Sequence, residues 1–445
     1  MKKMFGISAV MAMILAANLT GCGKAQTTAT TAENNASSAA QEEINTGSES
    51  AKTVSDDNSN SAPEAVSLSQ STQSASQDTA SDSELFTKRD LAQTADLSAA
   101  KQITVSDGET IDITEEGVYV ISGSAANCTI RVNADDSAKV QLVLDGVSIT
   151  NSDFPAIYVL SADKVFITTT DSENTLTVSG QFRADGETNT DAVIFSKDDL
   201  TLNGTGTLNV TSQYGNGITC KDDMKITGGT YNVKAALDSF EANDSISVYD
   251  GIFNISTEKD GFHCENDEAE GTITILGGSY TISGGSDGMQ ASALLQIDGG
   301  TFNINAAEGL EATYVLINDG SINIYATDDG INASASTNAY ETAVEINGGE
   351  LTVEVGQGDT DAIDSNGSIY VNGGTINITA QMSSFDYDKT AEFNGGTIII
   401  NGTEVSEIPQ SMMGGGMRGG MGGQRGGMNG GMNGGIGGGR GRMTF

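Results

Sequence analysis

Residues 287–333 read DGMQASALLQIDGGTFNINAAEGLEATYVLINDGSINIYATDDGINA, and within that stretch one pattern begins three times. Asp287-Gly288-Met289-Gln290-Ala291, Glu308-Gly309-Leu310-Glu311-Ala312 and Asp329-Gly330-Ile331-Asn332-Ala333 each run acid, glycine, aliphatic, polar, alanine. Between them lie the turns Gly299-Gly300 and Asp319-Gly320, and after the first the chain alternates as Thr301-Phe302-Asn303-Ile304. Alternation with period two makes a strand with one buried face. The glycines supply corners between strands.

The pattern extends both ways. Earlier openings are Asn216-Gly217-Ile218-Thr219-Cys220, Asp238-Ser239-Phe240-Glu241-Ala242 and Asp260-Gly261-Phe262-His263-Cys264, and a later one is Asp361-Ala362-Ile363-Asp364-Ser365. From Gly229 to Gly396 the second residues of successive turns are 22, 27, 22, 20, 29, 25 and 22 apart, as loops of varied length inserted at one corner would leave them. A unit this short cannot bury its inner face alone, whereas stacked units share a continuous core. The expected fold is therefore all-β, a single-stranded parallel β-helix, right-handed by the general rule for parallel crossovers. Tyr231, Phe253, Tyr280, Phe302, Ile322, Leu351, Ile376 and Ile398 should form one inner ladder, and Asn232, Asn254, Asn303, Asn323 and Asn377 an outer amide ladder. The less regular stretch from about Ile103 to Val178 reads as first coils with an N-terminal cap, since an open solenoid end exposes strand edges. Cys220 and Cys264 share an inward slot two units apart, ~10 Å at ~4.8 Å per rung, beyond the ~7 Å reach of a disulfide. They should be buried free thiols.

The flanks divide the chain. Met1-Lys2-Lys3 and the apolar stretch Ile7 to Leu19 lead into Leu19-Thr20-Gly21-Cys22, which resembles a bacterial lipobox. Residues 1–21 are expected as a signal peptide and Cys22 as the lipidated N-terminus, anchoring the protein on the outer face of the cell membrane without spanning it. Residues 22–95, rich in Ser, Thr and Ala, read as a disordered tether. The body is expected over 96–408, and the Gly/Met-rich remainder, 409–445, as a disordered tail. The thioethers of that tail would also suit a soft metal such as Cu(I), the less favoured reading.

Charge narrows the partners. The chain carries 60 acids against 21 Lys plus Arg, a net −39, which excludes a nucleic-acid partner. Stacking brings Asp238, Asp260, Asp287, Glu308, Asp329 and Asp361 to one corner, and the outward residue three further on adds Glu241, Glu311 and Asp364. Crowded carboxylates need raised pKa values or bound cations. Several hard oxygen donors suit Ca²⁺. The competing reading is turn chemistry, in which the acids cap backbone amides and face water. His263, the one histidine, sits in an outward polar slot and reads as a surface residue. A lyase acting on acidic polysaccharide would need a basic residue, yet no Lys or Arg stands between Lys259 and Lys389, leaving Lys221, Lys225 and Lys234 on earlier coils. A two-carboxylate hydrolase has no specific signal here, because acids are everywhere.

The run Leu144-Asp145-Gly146-Val147-Ser148-Ile149-Thr150-Asn151 with Ala156-Ile157-Tyr158-Val159, together with the later repeats, resembles a clostridial carbohydrate-binding family of cellulose- and pectate-binding β-helix proteins. The likeness runs from about Gln102 to Gly402. It implies a lyase-like β-helix that binds calcium and plant-wall polysaccharides, acidic ones included, without demonstrated cleavage. It carries no ligand assignment, and the chain has no Trp for a sugar platform, so tyrosines or bridging calcium would have to serve. The expectation is a monomeric surface lipoprotein that binds polysaccharide through a calcium-bearing acidic face. The alternatives are a calcium-dependent lyase and an adhesive spacer without a glycan ligand.

Overall fold

A computed structural model describes residues 85–409, apart from 267–270 and 359. The expected signal segment, the lipidation site Cys22, the tether up to residue 84 and the tail beyond Pro409 lie outside the described residues. The described residues hold 34 strands, and their pairings are parallel except where Thr403–Val405 folds back antiparallel on Thr397–Ile400. The coils stack into three ladders; Asp287–Ile297 and Glu308–Ile317 each run unbroken through two of them, while most coils give each ladder its own strand. In one coil these are Phe240–Ala242, then Ser245–Val248, then, past the Asp250-Gly251 turn, Ile252–Thr257. We call the ladders the opening, middle and alternating sheets. The architecture is a parallel β-solenoid.

The alternating sheet follows the sequence pattern position by position. Tyr231 pairs with Phe253, and the column continues through Tyr280, Phe302, Ile322, Leu351, Ile376 and Ile398. All are buried. The rings stack nearly parallel, with centroids 4.7 Å apart for Phe253 and Tyr280 and 4.5 Å for Tyr280 and Phe302. Buried tyrosines need a polar partner; here Tyr231 and Tyr280 donate to the carbonyls of Gly228 and Gly277 at 2.7 and 2.8 Å. Outside, Asn254 donates to Asn232 and Asn232 to Asn209 at 2.8 and 2.7 Å, while Thr281 and Thr352 interrupt the amide column. The middle sheet ends in a second amide ladder that the repeat pattern did not single out: Asn394, Asn372, Asn347 and Asn318 donate each to the one before, ending on Asp298.

Two kinds of glycine shape the coil. The turn glycines, such as Gly300 at φ 106° and Gly320 at 120°, occupy the left-handed region, as expected of corners. The glycine that follows the opening acid at Gly261, Gly288, Gly309 and Gly330 does not. It is needed for close approach: a Cβ on Gly309 would stand 2.3 Å from the Gly330 carbonyl and 2.5 Å from Ile324 Cγ2. Cys220 and Cys264 flank Ala242 in one column, and both, like Cys128, are buried free thiols.

At the N-terminal end, the short strands Lys101–Thr104 and Thr110–Ile113 form the first rungs, with mostly exposed polar residues that blunt the edge. The tether boundary expected at residue 95 needs correction. Residues 85–93 form a strap laid across the outer face of the middle sheet. Phe86 is buried with its ring edge-on to Tyr249, and the Arg89 guanidinium lies 4.4 Å from the Phe166 ring centre. Asp90 is fully buried, 3.2 Å from Lys164 Nζ, and accepts from Thr201 Oγ1 at 2.9 Å. Gln93 donates to the Thr227 carbonyl at 3.0 Å and accepts from the Gly204 amide at 2.9 Å. Burial would raise the Asp90 pKa, but hydrogen bonds from Thr87 and the Lys164 charge hold it below the usual range.

Candidate functional site

The opening sheet brings the expected acids into two adjoining columns. The openers point across the rungs: the Asp260 amide donates to Asp238 Oδ1 at 3.1 Å, the Asp287 amide to Asp260 Oδ1 at 3.0 Å and the Asp361 amide to Asp329 Oδ1 at 2.8 Å. One oxygen of each of these acceptors therefore caps the next coil, as turn chemistry anticipates, and the other is left for different work. Beside them runs the outward column Glu241, His263, Gln290, Glu311, Asn332, Asp364, each in register with the next.

The acids separate by what neutralises them. Glu241 pairs with Lys221 at 2.8 Å and accepts from Thr219 Oγ1 at 2.7 Å. Burial works against its charge, yet Lys221 and Thr219 hold its pKa below the ordinary value. Asp238, Asp260 and His263 converge within 4.8 Å. The His263 Nδ1–H donates to Asp260 Oδ2 at 2.7 Å, and Lys259 Nζ lies 3.6 Å from Asp238. Burial alone would lower the His263 pKa, but the Asp260 hydrogen bond and the Asp238 charge raise it to about 9. The His263 imidazolium and Lys259 offset the charge of Asp238 and Asp260 from within the chain itself. Asp238, Asp260 and Glu241, expected as metal ligands, are met here by Lys259, His263 and Lys221, and His263 is half-buried among them rather than a solvated surface residue.

One coil further on, the balance changes. Asp287, Glu308 and Glu311 each place a carboxylate oxygen within 4.8 Å of the others, in a stretch of chain that carries no Lys or Arg between Lys259 and Lys389. Burial, then the charges of Asp260, Glu308 and Glu311, push Asp287 up to about 8. Burial, opposed by a hydrogen bond from Asn332 and reinforced by Glu311, takes Glu308 to about 7. Neighbouring side chains hold the carboxylates in place: Gln290 and Ser334 donate to Glu311 at 2.8 and 2.9 Å, and Asn332 donates to Glu308 at 3.0 Å. The other end of that amide, Asn332 Oδ1, is buried with no hydrogen-bond partner. Three convergent carboxylates are hard oxygen donors of the kind Ca²⁺ takes, and the unpartnered Asn332 amide oxygen belongs to a side chain hydrogen-bonded to one of them, so the residues fit such a cation here. Asp329, Asp361 and Asp364 do not join this set. Asp364 is pushed to about 7, by burial first and then by Asp329, Asp361 and Asp386.

A second acidic group lies outside the repeat openings. Asp199, Asp222 and Asp223 converge within 4.8 Å where the middle sheet begins, and burial and Asp199 take Asp222 to about 6. Its signal in the sequence is the paired acids Asp198-Asp199 and Asp222-Asp223 on successive coils. The three early lysines are arranged differently from a catalytic base facing the acidic group at Asp287. Lys221 is engaged by Glu241, Lys225 donates to the Leu85 carbonyl at 2.7 Å, and Lys234 is exposed on the alternating sheet. Beside Glu241 and His263 a groove of about 620 Å³ is lined by Asn243, Asp244, Glu265 and Asn266.

Residues 107–361 and 314–431 match the sequence profile of a family described as carbohydrate-binding domain-containing protein. A curated relative of the same description from Acetivibrio thermocellus is 39% identical over 136 residues, which cover 30% of this chain and 47% of the relative. The match thus spans about half the length of that relative. Among solved structures, the gadolinium derivative of a polysaccharide lyase-like protein from C. thermocellum aligns with 70% of this chain and 99% of its own. It does so at 23% identity and a TM-score of 0.33.

Proposed function

The chain belongs to the family of carbohydrate-binding domain-containing proteins, and from that premise we propose that it is a surface lipoprotein that holds acidic polysaccharide through calcium at Asp287, Glu308 and Glu311. The observation that carries this reading is the convergence of one buried and two half-buried carboxylates with no Lys or Arg among them. A protein of net charge −39 would otherwise repel a uronic-acid polymer. Calcium bound there supplies positive charge and free coordination positions that sugar carboxylates can occupy. The chain's own residues do the positioning. Gln290 and Ser334 fix Glu311, Asn332 fixes Glu308, and the rigid rungs hold all three in register.

The placement of the early lysines supports binding over cleavage. Lys221 and Lys225 are committed to Glu241 and the strap, and neither stands among the three carboxylates. The lipid on Cys22 would keep the solenoid at the outer face of the membrane, acting as a monomer. Retention of the full chain on immobilised polygalacturonate, with calcium and with EGTA, tests the reading. Calcium-dependent retention without ultraviolet-absorbing unsaturated product is the expected result. Product release would make the protein a lyase, and no retention in either buffer would leave a spacer. Labelled palmitate should enter the wild type and not Cys22→Ala.

A further inference from the structure

The solenoid ends differently from how it runs. Ser383–Tyr387 and Ala391–Phe393 are the last strands of the opening and middle sheets, and each pairs with the strand of the coil before it. Among the described residues no strand pairs with their other edge, whereas Thr403–Val405 closes the alternating sheet by folding back on Thr397–Ile400. The inner columns open at the same place. Ile369 and Val371 are fully buried, but Ala391 and Phe393, next in their columns, are partly exposed. Buried Ile378 gives way in the same manner to Ile400, and buried Ser365 to the partly exposed Tyr387. The last rung thus presents unpaired backbone edges beside apolar core, the combination that a solenoid end has to cover.

We infer that residues 410–418 cover this end, with Met412, Met413 and Met417 seated on the open core and Arg418 on the acids around it. The chain leaves from the end itself: Ile408 is buried within the core cluster, and nine residues extend ~30 Å at ~3.3 Å each. Gly414-Gly415-Gly416 brings no side chain to hinder a backbone lying along the edge strands. Methionine is unbranched and fills irregular gaps, and its thioether packs favourably against rings such as those of Phe393 and Tyr387. Charge decides the occupant. The final coil, residues 383–408, carries Asp386, Asp388, Glu392, Glu404 and Glu407 against Lys389 alone. Residues 410–445 carry Arg418, Arg425, Arg440 and Arg442 and no acid. A second copy would bring either this same acidic end or its first coil, where Asp107, Glu109, Asp112, Glu115 and Glu116 stand against Lys101. Like charges would then face one another. The strap already shows a flanking segment covering solenoid surface with an arginine over a ring, Arg89 on Phe166. The inference is independent of the calcium and glycan readings, and for residues 410–418 it departs from the disordered tail expected above.

The test measures amide exchange in the full chain by mass spectrometry, on peptides covering Ser383–Tyr387 and Ala391–Phe393, with Thr230–Ala235 as interior reference. It compares wild type, Met412→Ser/Met413→Ser/Met417→Ser, Arg418→Glu and the distal control Met421→Ser/Met428→Ser/Met432→Ser, and thermal melting checks that each is folded. The expected result is exchange at the last rungs about tenfold faster in the proximal triple variant and several-fold faster in Arg418→Glu. The distal control and the interior reference should not change. Equal exchange at the last rungs in wild type and both proximal variants would overturn the cap. Equal acceleration by the distal control would overturn it too, by making methionine content rather than these residues the cause. So would a dimer in sedimentation that protects the last rungs with or without the proximal methionines, since a second copy would then be the occupant. Should the triple variant fail to melt as a folded protein, Arg418→Glu decides alone.

Discussion

At Asp287 and Glu308 burial and neighbouring charge act together, at His263 they oppose each other, and the sign of each net shift fixes how the fold responds to pH. The His263 pKa stands at about 9 against an ordinary 6.5, so its contribution is complete below 6.5 and is lost as pH rises through 9. Asp287 and Glu308 are raised from 3.8 and 4.5 to about 8 and 7, so the fold favours their protonated forms. Their contribution is complete below the ordinary values and disappears on approach to pH 8. In EGTA the melting temperature should therefore fall steadily between about pH 5 and 9. Added calcium should restore the carboxylate part at pH 8, and Glu308→Gln should abolish that response. His263→Gln should flatten the loss above pH 6.5 and leave the calcium response intact. A melting temperature that rises over this range would contradict both assignments. The inner ladder is legible residue by residue in the sequence because period two leaves no choice of face. Which acids converge is not, because it turns on where Lys259, Lys221 and His263 place their charges.

The element scale shows the same division. The openers, turns and alternating strands repeat, so the sequence pattern alone implies stacked sheets and their register. It does not imply the strap. The strap residues, from Phe86 to Gln93, have no period, follow a polar segment and dock by single contacts to Lys164, Thr201, Gly204 and Thr227. Asp90→Ala should leave Lys164 partnered by the more distant Asp199 and the Thr201 hydroxyl without its acceptor. The cost should be about 3 kcal/mol, seen as a lower urea midpoint and as faster proteolysis near residue 90; an unchanged midpoint would refute the docked strap. The glycines after the openers make a second element-scale case. Gly309→Ala should destabilise by about 2 kcal/mol or more, because the new Cβ meets a neighbouring carbonyl and an inner isoleucine. A Gly309→Ala variant as stable as wild type would refute the close approach.

Over the whole molecule, stacking turns a short repeat into a long surface with distinct sides. The strap covers the early rungs of the middle sheet, and the calcium-fitting carboxylates lie on the opening sheet further along. Stability should be close to a sum over neighbouring coils, so a lesion at Glu308 and Glu311 can silence one site without unfolding the rest. The central claim is that polysaccharide is held through calcium at those carboxylates. Its most direct test is retention of full-chain Glu308→Gln/Glu311→Gln on immobilised polygalacturonate at saturating calcium, beside wild type. The account predicts at least a tenfold loss of retention in a variant that melts as a folded protein, to the level wild type shows in EGTA. Retention equal to wild type would contradict it.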